Sequence, residues 1–252
     1  MIAIKNLSVT LDGEKIIRNF SAVFPENQVS VLIGRNGCGK TTLLRAIAGL
    51  NKAESGSILW KNKDLSAVSV KEHAKIVAFL PQSREVPSVS VRSLVSHGRF
   101  PYLEFPRKLR KTDREIINNA MEMAGVMQFA ERNLATLSGG QRQKVYIAMV
   151  LCQDTPVVLL DEPATYLDIS QQLEVLQMAK KIAAMGKTVI MVHHDIPQAV
   201  KYGDNIVLMD EGELVYQGGG MEMVKKSLVD KVFGVKTKII EDNLIIEDEM
   251  SN

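Results

Sequence analysis

Eight consecutive residues, Gly34-Arg35-Asn36-Gly37-Cys38-Gly39-Lys40-Thr41, have the types and spacing of a loop that wraps phosphate. Gly34, Gly37 and Gly39 let successive backbone N–H groups turn inward, and Asn36 and Cys38 complete the loop. A helix that follows, opening through Thr41 and Thr42, aims its positive end at the same anion. Lys40 supplies a point charge for the β- and γ-phosphates, and the Thr41 hydroxyl can ligate Mg²⁺. Cys38 reads as a small loop residue, because a catalytic thiol needs a partner base and none is evident. A second constellation is Val157-Val158-Leu159-Leu160-Asp161-Glu162, an apolar run that ends in adjacent carboxylates. Open α/β sheets bind ligands at such strand ends. There Asp161 can hold Mg²⁺ through water, and Glu162 can polarise an attacking water as a general base. A third is Leu137-Ser138-Gly139-Gly140-Gln141, a Ser-Gly-Gly turn opening a helix, which is again an anion-binding helix end with a hydroxyl added.

The elements that must position these residues alternate between strands and helices. Val29–Ile33, Val157–Leu160 and Thr188–Val192 are β-branched or apolar runs, apolar on both faces. Helices between such strands imply a parallel sheet covered on both sides. The helix after the phosphate loop runs through Thr42, Leu43, Leu44 and Ile47 and is closed by Gly49. The first 25 residues alternate polar and apolar positions instead. So does Ile206–Gln217, which turns at Asp210-Glu211-Gly212 as an antiparallel hairpin does. A mostly helical stretch spans Ser83 to Asp154. In it Thr112 and Glu115 form a capping-box pattern ahead of Ile116, Ala120, Met123 and Met127, and the signature-like helix presents Val145, Ala148, Met149 and Cys152 as its apolar face. The fold class is therefore α/β, a P-loop NTPase core with a mostly parallel sheet, an antiparallel β part and an inserted helical part. The expected division is 1–82 and 155–252 for the nucleotide-binding core and 83–154 for the helical subdomain, within one domain of 252 residues.

Composition narrows the class. Hydrophobic residues make up 46%, enough for a well-buried core in a chain of this length. A net charge of +2 without a dense basic stripe argues against nucleic acid as a partner. No apolar run approaches the roughly 20 residues that span a bilayer, and the alternating N-terminus reads as a strand rather than a signal peptide. Two cysteines, Cys38 and Cys152, suggest neither a disulfide framework nor a metal site and fit a reducing cytosolic setting. The acidic end, with Glu241, Asp242, Glu247, Asp248 and Glu249, reads as a solvated edge or frayed tail.

Leu137-Ser138-Gly139-Gly140-Gln141 resembles the signature sequence of ABC ATPases, and the resemblance covers nearly the whole chain except about the last fifteen residues. Gln82, after Phe79-Leu80-Pro81, matches the family's Q-loop glutamine; Tyr166-Leu167-Asp168 matches the D-loop; His194-Asp195 matches the switch histidine, with His193 unassigned and expected to pack or face solvent. The resemblance implies two such subunits paired head to tail around two ATP molecules. Ser138 and Gly140 would then serve the partner's nucleotide. Lys40, Thr41, Gln82, Asp161, Glu162 and His194 would serve the chain's own, and Gly139, Gln141 and Asp168 also count among the nucleotide-binding residues. It implies ATP and Mg²⁺ as cofactors, with Thr41, Gln82 and Asp161 around the metal, and Glu162, His194, Gln82 and Lys40 as the catalytic set.

A finer similarity lies in Pro81-Gln82-Ser83, Ser90–Val95, Gly98-Arg99-Phe100-Pro101-Tyr102, Gln141-Arg142-Gln143-Lys144, Ile147-Ala148-Met149 and Asp161-Glu162-Pro163 running into Tyr166–Ser170. These stretches are similar to the ATPases of ferric-siderophore, haem and cobalamin importers. The implied setting is the cytoplasmic face of a bacterial membrane, with polytopic permease subunits as direct partners and an extracytoplasmic substrate-binding protein as an indirect one. The implied cargo is an iron(III)–siderophore complex; haem, cobalamin or another cargo, a soluble non-transport ABC protein, and a nucleotide-binding module without hydrolysis are the alternatives. Two departures stand out. Ala164 replaces a customary threonine, and Leu11 falls where the family stacks an aromatic residue on adenine, while Phe20 is expected to face the core.

Overall fold

Two kinds of strand build two sheets. The protein is described here as a computed structural model covering residues 1–82, 86–165, 167–241 and 243–247. β1 (Ile2–Leu11) and β2 (Glu14–Phe24) pair antiparallel, joined by a tight turn in which Asp12 and Gly13 both take positive φ. β3 (Val29–Gly34) is buried on both faces and feeds the phosphate loop, after which α1 (Lys40–Ile47) begins and ends at Gly49, φ 72°. β4 (Ser55–Trp60) and β5 (Lys63–Asp64) complete a four-stranded antiparallel sheet in the order β2-β1-β4-β5. α2 (Val70–His73) leads into β6 (Val77–Leu80). Then come α3 (Val91–Ser96), α4 (Lys111–Met123) and α5 (Gly139–Cys152), which pack on one another.

The chain returns through β7 (Val157–Asp161), α6 (Ile169–Ala184), β8 (Thr188–Val192), α7 (Ile196–Tyr202), β9 (Asn205–Asp210) and β10 (Glu213–Gly218). The second sheet runs β10-β9-β3-β8-β7-β6, parallel except for its β10 edge. Its two faces bury separate clusters. Val31, Ile33, Val158, Leu160 and Met191 face α5, α6 and the helices beyond, whereas Leu32, Leu159, Ile190 and Val192 pack with α1 and the β1–β2 hairpin. Among the described residues no helix is long and apolar enough to cross a membrane.

Two expectations change. The helix that Thr112 and Glu115 were expected to cap starts earlier. Arg110 is its N-cap, and Asp113 at the third position accepts a hydrogen bond from the Arg110 N–H at 3.0 Å. A buried ion pair with Arg99 fixes Asp113 there, so tertiary burial overrides the local capping pattern. The 206–217 hairpin forms, but its first strand does not alternate, because β9 pairs in parallel with β3 and is buried on both faces. Of the two readings of the acidic end, the solvated edge is the one seen at Glu241: α8 (Gly220–Lys225) and α9 (Leu228–Phe233) are followed by a mostly exposed hairpin of β11 (Lys236–Ile240) and β12 (Asn243–Glu247), which buries Leu244. Asp242, Asp248 and Glu249 lie outside the described residues.

One turn joins the two sheets to the phosphate loop. The Gly212 N–H, between β9 and β10, donates to the Cys38 carbonyl at 3.1 Å, and the Gly212 carbonyl accepts from the Arg18 N–H at 3.0 Å. A Cβ on residue 212 would lie 2.1 Å from the Ile16 carbonyl oxygen, and its φ is +82°, so only glycine fits this close approach.

Candidate functional site

The parallel strands deliver the chemistry at one edge. β3, β6, β7 and β8 run in the same direction, and their C-terminal ends lead respectively to the phosphate loop, Gln82, Asp161-Glu162 and His194. Within the loop, Lys40 is buried, and its ammonium donates to the carbonyls of Gly34 (2.8 Å) and Arg35 (2.9 Å). A phosphate entering the loop competes for that charge against two neutral acceptors, a favourable exchange because an anionic oxygen adds an opposite charge that a carbonyl lacks. Burial pushes the Cys38 thiol above its ordinary pKa, with Lys40 partly opposing, so Cys38 is a neutral filler as its position suggested.

Asp161 is 1% exposed, and its Oδ1 accepts from the Thr41 hydroxyl at 3.1 Å. Burial, and secondarily the Glu162 charge, pushes its pKa up, against the Thr41 hydrogen bond and Lys40. A buried carboxylate held by a single hydroxyl is under-compensated, which suits a cation between it and bound phosphate. Among the described residues no group of three His, Cys, Asp or Glu side chains could hold a metal alone, so a divalent ion here would need phosphate oxygens and water as further ligands.

Glu162 leaves the sheet with φ 47°, unusual for a residue with a side chain. Its carboxylate sits in a small cluster. Oε2 accepts from Gln82 Nε2 at 2.8 Å and from the Thr165 hydroxyl at 3.1 Å, and His194 Nδ1 stands 3.9 Å away. Behind His194 the rings of His193 and His194 stack at 5.6 Å. His193 is 2% exposed, and its Nε2 bonds Gln198 Oε1 at 3.2 Å, while the Gln198 amide donates to Asp195. Burial lowers the His193 pKa, so it packs as a neutral ring.

The signature turn is built as a helix start. The Ser138 hydroxyl accepts from the Gln141 N–H at 3.3 Å, and the Gln141 side chain accepts from the Ser138 N–H at 3.1 Å. Asp168 caps α6 by accepting from the Gln171 N–H at 2.9 Å. The Gln171 side chain then lies flat on Gly140, where an added Cβ would stand 1.9 Å from Gln171 Oε1. Ser138, Gly140, Gln141, Asp168 and Gln171 line one cleft of about 310 Å³. Gly139 opens on another cleft of about 250 Å³, shared with Gln82 and Glu162. Among the described residues no hydrogen bond or ion pair joins Ser138, Gly139, Gly140 or Gln141 to Lys40 or Thr41.

The remaining expected residues fall near the loop or outside the description. Leu11 ends β1 with 37% exposure, paired with Glu14, and Phe20 is fully buried. Ile16 lies closer to the loop, its Cγ2 3.4 Å from where a Cβ on Gly39 would stand. Ala164 is buried. Tyr166 and Ser83, parts of the quoted stretches, lie outside the described residues. Sequence reasoning missed Thr165, Gln143 and Gln171. Gln143 donates to the Pro163 carbonyl and so ties the signature helix to the turn bearing Glu162. Their only signal was position: Thr165 three residues after Glu162, Gln171 three after the helix cap.

Comparison with known proteins places this arrangement. Residues 17–165 match the family model described as ABC transporter. The chain is 41% identical over 246 residues to the achromobactin transport ATP-binding protein CbrD of Dickeya dadantii, covering 96% of this chain and 91% of that one. It is 39% identical over 242 residues to the petrobactin import ATP-binding protein FpuD of Bacillus anthracis, covering 95% and 89%. The solved structure of cbiO1 from Clostridium perfringens, part of the ABC transporter complex cbiONQ, superposes with a TM-score of 0.80 at 26% identity, covering 91% of this chain and 92% of that chain.

Proposed function

The chain belongs to the ABC transporter ATP-binding family, homologous to siderophore and haem import ATPases, and on that premise we propose that it hydrolyses ATP to power import of an iron(III)–siderophore-type complex. The observation that carries the hydrolytic reading is the Glu162 carboxylate, held by Gln82 and Thr165 and facing His194. In this reading Lys40 leaves its loop carbonyls for the β- and γ-phosphates. Thr41, Asp161 and Gln82 would hold Mg²⁺, which supplies charge neutralisation at the phosphate oxygens. Glu162 takes the proton of the attacking water, and His194 holds the γ-phosphate and water in line, giving ADP and inorganic phosphate.

The signature turn supports pairing. Ser138 and Gly140 open on a cleft away from the loop, so they suit the nucleotide of a second copy, with Asp168 between the two sites. The pair would sit at the cytoplasmic face of the membrane and drive polytopic permease subunits through the 83–154 helical lobe and Gln82, fed by an extracytoplasmic binding protein. The cargo reading rests on the siderophores named for the relatives. Growth of a strain lacking this chain, on single defined iron sources, tests it. Loss of growth on a siderophore alone supports the reading; unimpaired growth there with loss on haem reassigns the cargo.

One expectation concerns the base. Leucine covers adenine with apolar contact but offers no π-face, and the exposed end of β1 leaves room for a ring. Leu11→Tyr is expected to tighten ATP binding roughly fivefold, about 1 kcal/mol, with little change in maximal turnover. Titration of both forms with ATP checks this. Equal affinities would mean either that Leu11 does not face the adenine or that another side chain, such as Ile16 beside the loop, already fills the site.

A further inference from the structure

Between the short helical turn at 97–102 and α4 the chain loops outward, anchored by buried Leu103. At the tip Phe105 is 97% exposed, the most solvent-facing large apolar side chain described. Behind it Arg107, Lys108, Arg110, Lys111 and Arg114 are all exposed within eight positions. They outnumber the exposed carboxylates Glu104 and Glu115, and Asp113 is buried against Arg99. None of the five basic side chains forms an ion pair with a described residue. The Arg107 guanidinium lies over the half-exposed Phe100 ring at 5.4 Å, and the His97 ring stands 4.6 Å from Phe100 on its own side of the loop. In a chain of net charge +2, this is a short basic cluster with an aromatic tip, confined to one loop and the first turn of α4.

We propose that the 103–110 loop and the first turn of α4 dock directly on an anionic lipid surface. Phe105 enters the boundary between headgroups and acyl chains, and Arg107, Lys108, Arg110 and Lys111 bind lipid phosphates. A lone ring at the tip of a loop has no flanking pocket of its own, so it suits insertion into a fluid layer. The four surrounding cations, none of them in an ion pair with a described residue, suit a negative leaflet. The contact goes beyond the import reading, since it needs neither ATP nor a permease. It adds a second attachment to the membrane, fixing the helical lobe against the bilayer.

Sedimentation of the purified full chain with vesicles, without nucleotide, tests this. Vesicles of equimolar phosphatidylglycerol and phosphatidylcholine are expected to carry the protein down, and pure phosphatidylcholine vesicles are not. Added salt should release it. The double change Lys108→Gln, Lys111→Gln should lower the partition constant about 25-fold, and Phe105→Ser about tenfold. Phosphate release by both variants should match the unaltered chain, which reports that the fold is intact and keeps this test separate from the hydrolytic reading. The proposal is overturned if the unaltered chain does not prefer phosphatidylglycerol vesicles, or if the variants bind them equally well. It is also overturned if the variants lose only permease-stimulated turnover without any loss of vesicle binding, which would assign the loop to a protein partner.

Discussion

Glu162→Gln is expected to bind ATP as the unaltered chain does and to hydrolyse it roughly 10²–10⁴ times more slowly. The amide oxygen keeps the shape of the carboxylate and can still accept from Gln82 and Thr165, so the surrounding turn has no reason to move. The basic lone pair that would take the water proton is gone. In the proposed reading phosphate is held elsewhere, by Lys40 and the loop, so affinity should persist. The variant should therefore accumulate the ATP-bound pair. Size-exclusion chromatography should show a monomer without nucleotide and a dimer in saturating ATP, because without nucleotide two like phosphate-binding surfaces face each other. Turnover within about threefold of the unaltered chain would remove Glu162 from the base role. A dimer independent of nucleotide would remove the reading in which Ser138 and Gly140 clasp the partner's ATP.

Asp113→Ala is expected to destabilise the protein by about 3 kcal/mol, at the low end for breaking a buried ion pair. The Arg99 and Asp113 side chains are 7% and 6% exposed, and Arg99 Nε donates to Asp113 Oδ1 at 3.0 Å. Removing the carboxylate strands a buried guanidinium. Its remaining hydrogen bond to the Cys152 carbonyl, at the end of α5, and its contact with the Tyr102 ring at 4.0 Å soften the loss. A fall in melting temperature of roughly 6–12 °C follows for a chain of this size, measurable by calorimetry. Arg99→Leu combined with Asp113→Leu should recover much of it, since no charge is then left unpaired. The pair also sets an acid limit. Burial alone would raise the Asp113 pKa, but the Arg110 N–H and the Arg99 guanidinium outweigh it and hold the carboxyl below its ordinary range. The stability it contributes is present above the ordinary aspartate pKa and lost as pH falls through the lowered native value. The Asp113→Ala form should lose less stability than the unaltered chain over that acid interval. Equal acid sensitivity would exclude this pair as its source.

Much of the site was legible because backbone chemistry dictates it. Glycines at 34, 37 and 39, a lysine, and a strand ending in two carboxylates admit few other uses, and the parallel sheet then brings Gln82, Glu162 and His194 to one edge. What escaped notice was side-chain packing across long separations. Nothing local marks Gln171 as the residue lying on Gly140, or Gln143 as the donor to Pro163, since those contacts exist only after α5 and α6 come together. The capping of α4 was misplaced for the same reason: Arg99, fourteen residues away, decides where Asp113 sits. β9 read as an alternating strand because its exposed partner β10 alternates, while burial against β3 fills both of its own faces.

Gly212 has a mechanical meaning. Its N–H holds the phosphate loop and its carbonyl holds β2, so the loop and the β1–β2 hairpin, which in the proposed reading meet the triphosphate and the base of one nucleotide, are tied through a single residue of the β9–β10 turn. Motion of the antiparallel sheet relative to the loop must break or stretch that link. In the proposed reading, the two hydrogen bonds of Gly212 therefore couple the place of the base to the place of the phosphates.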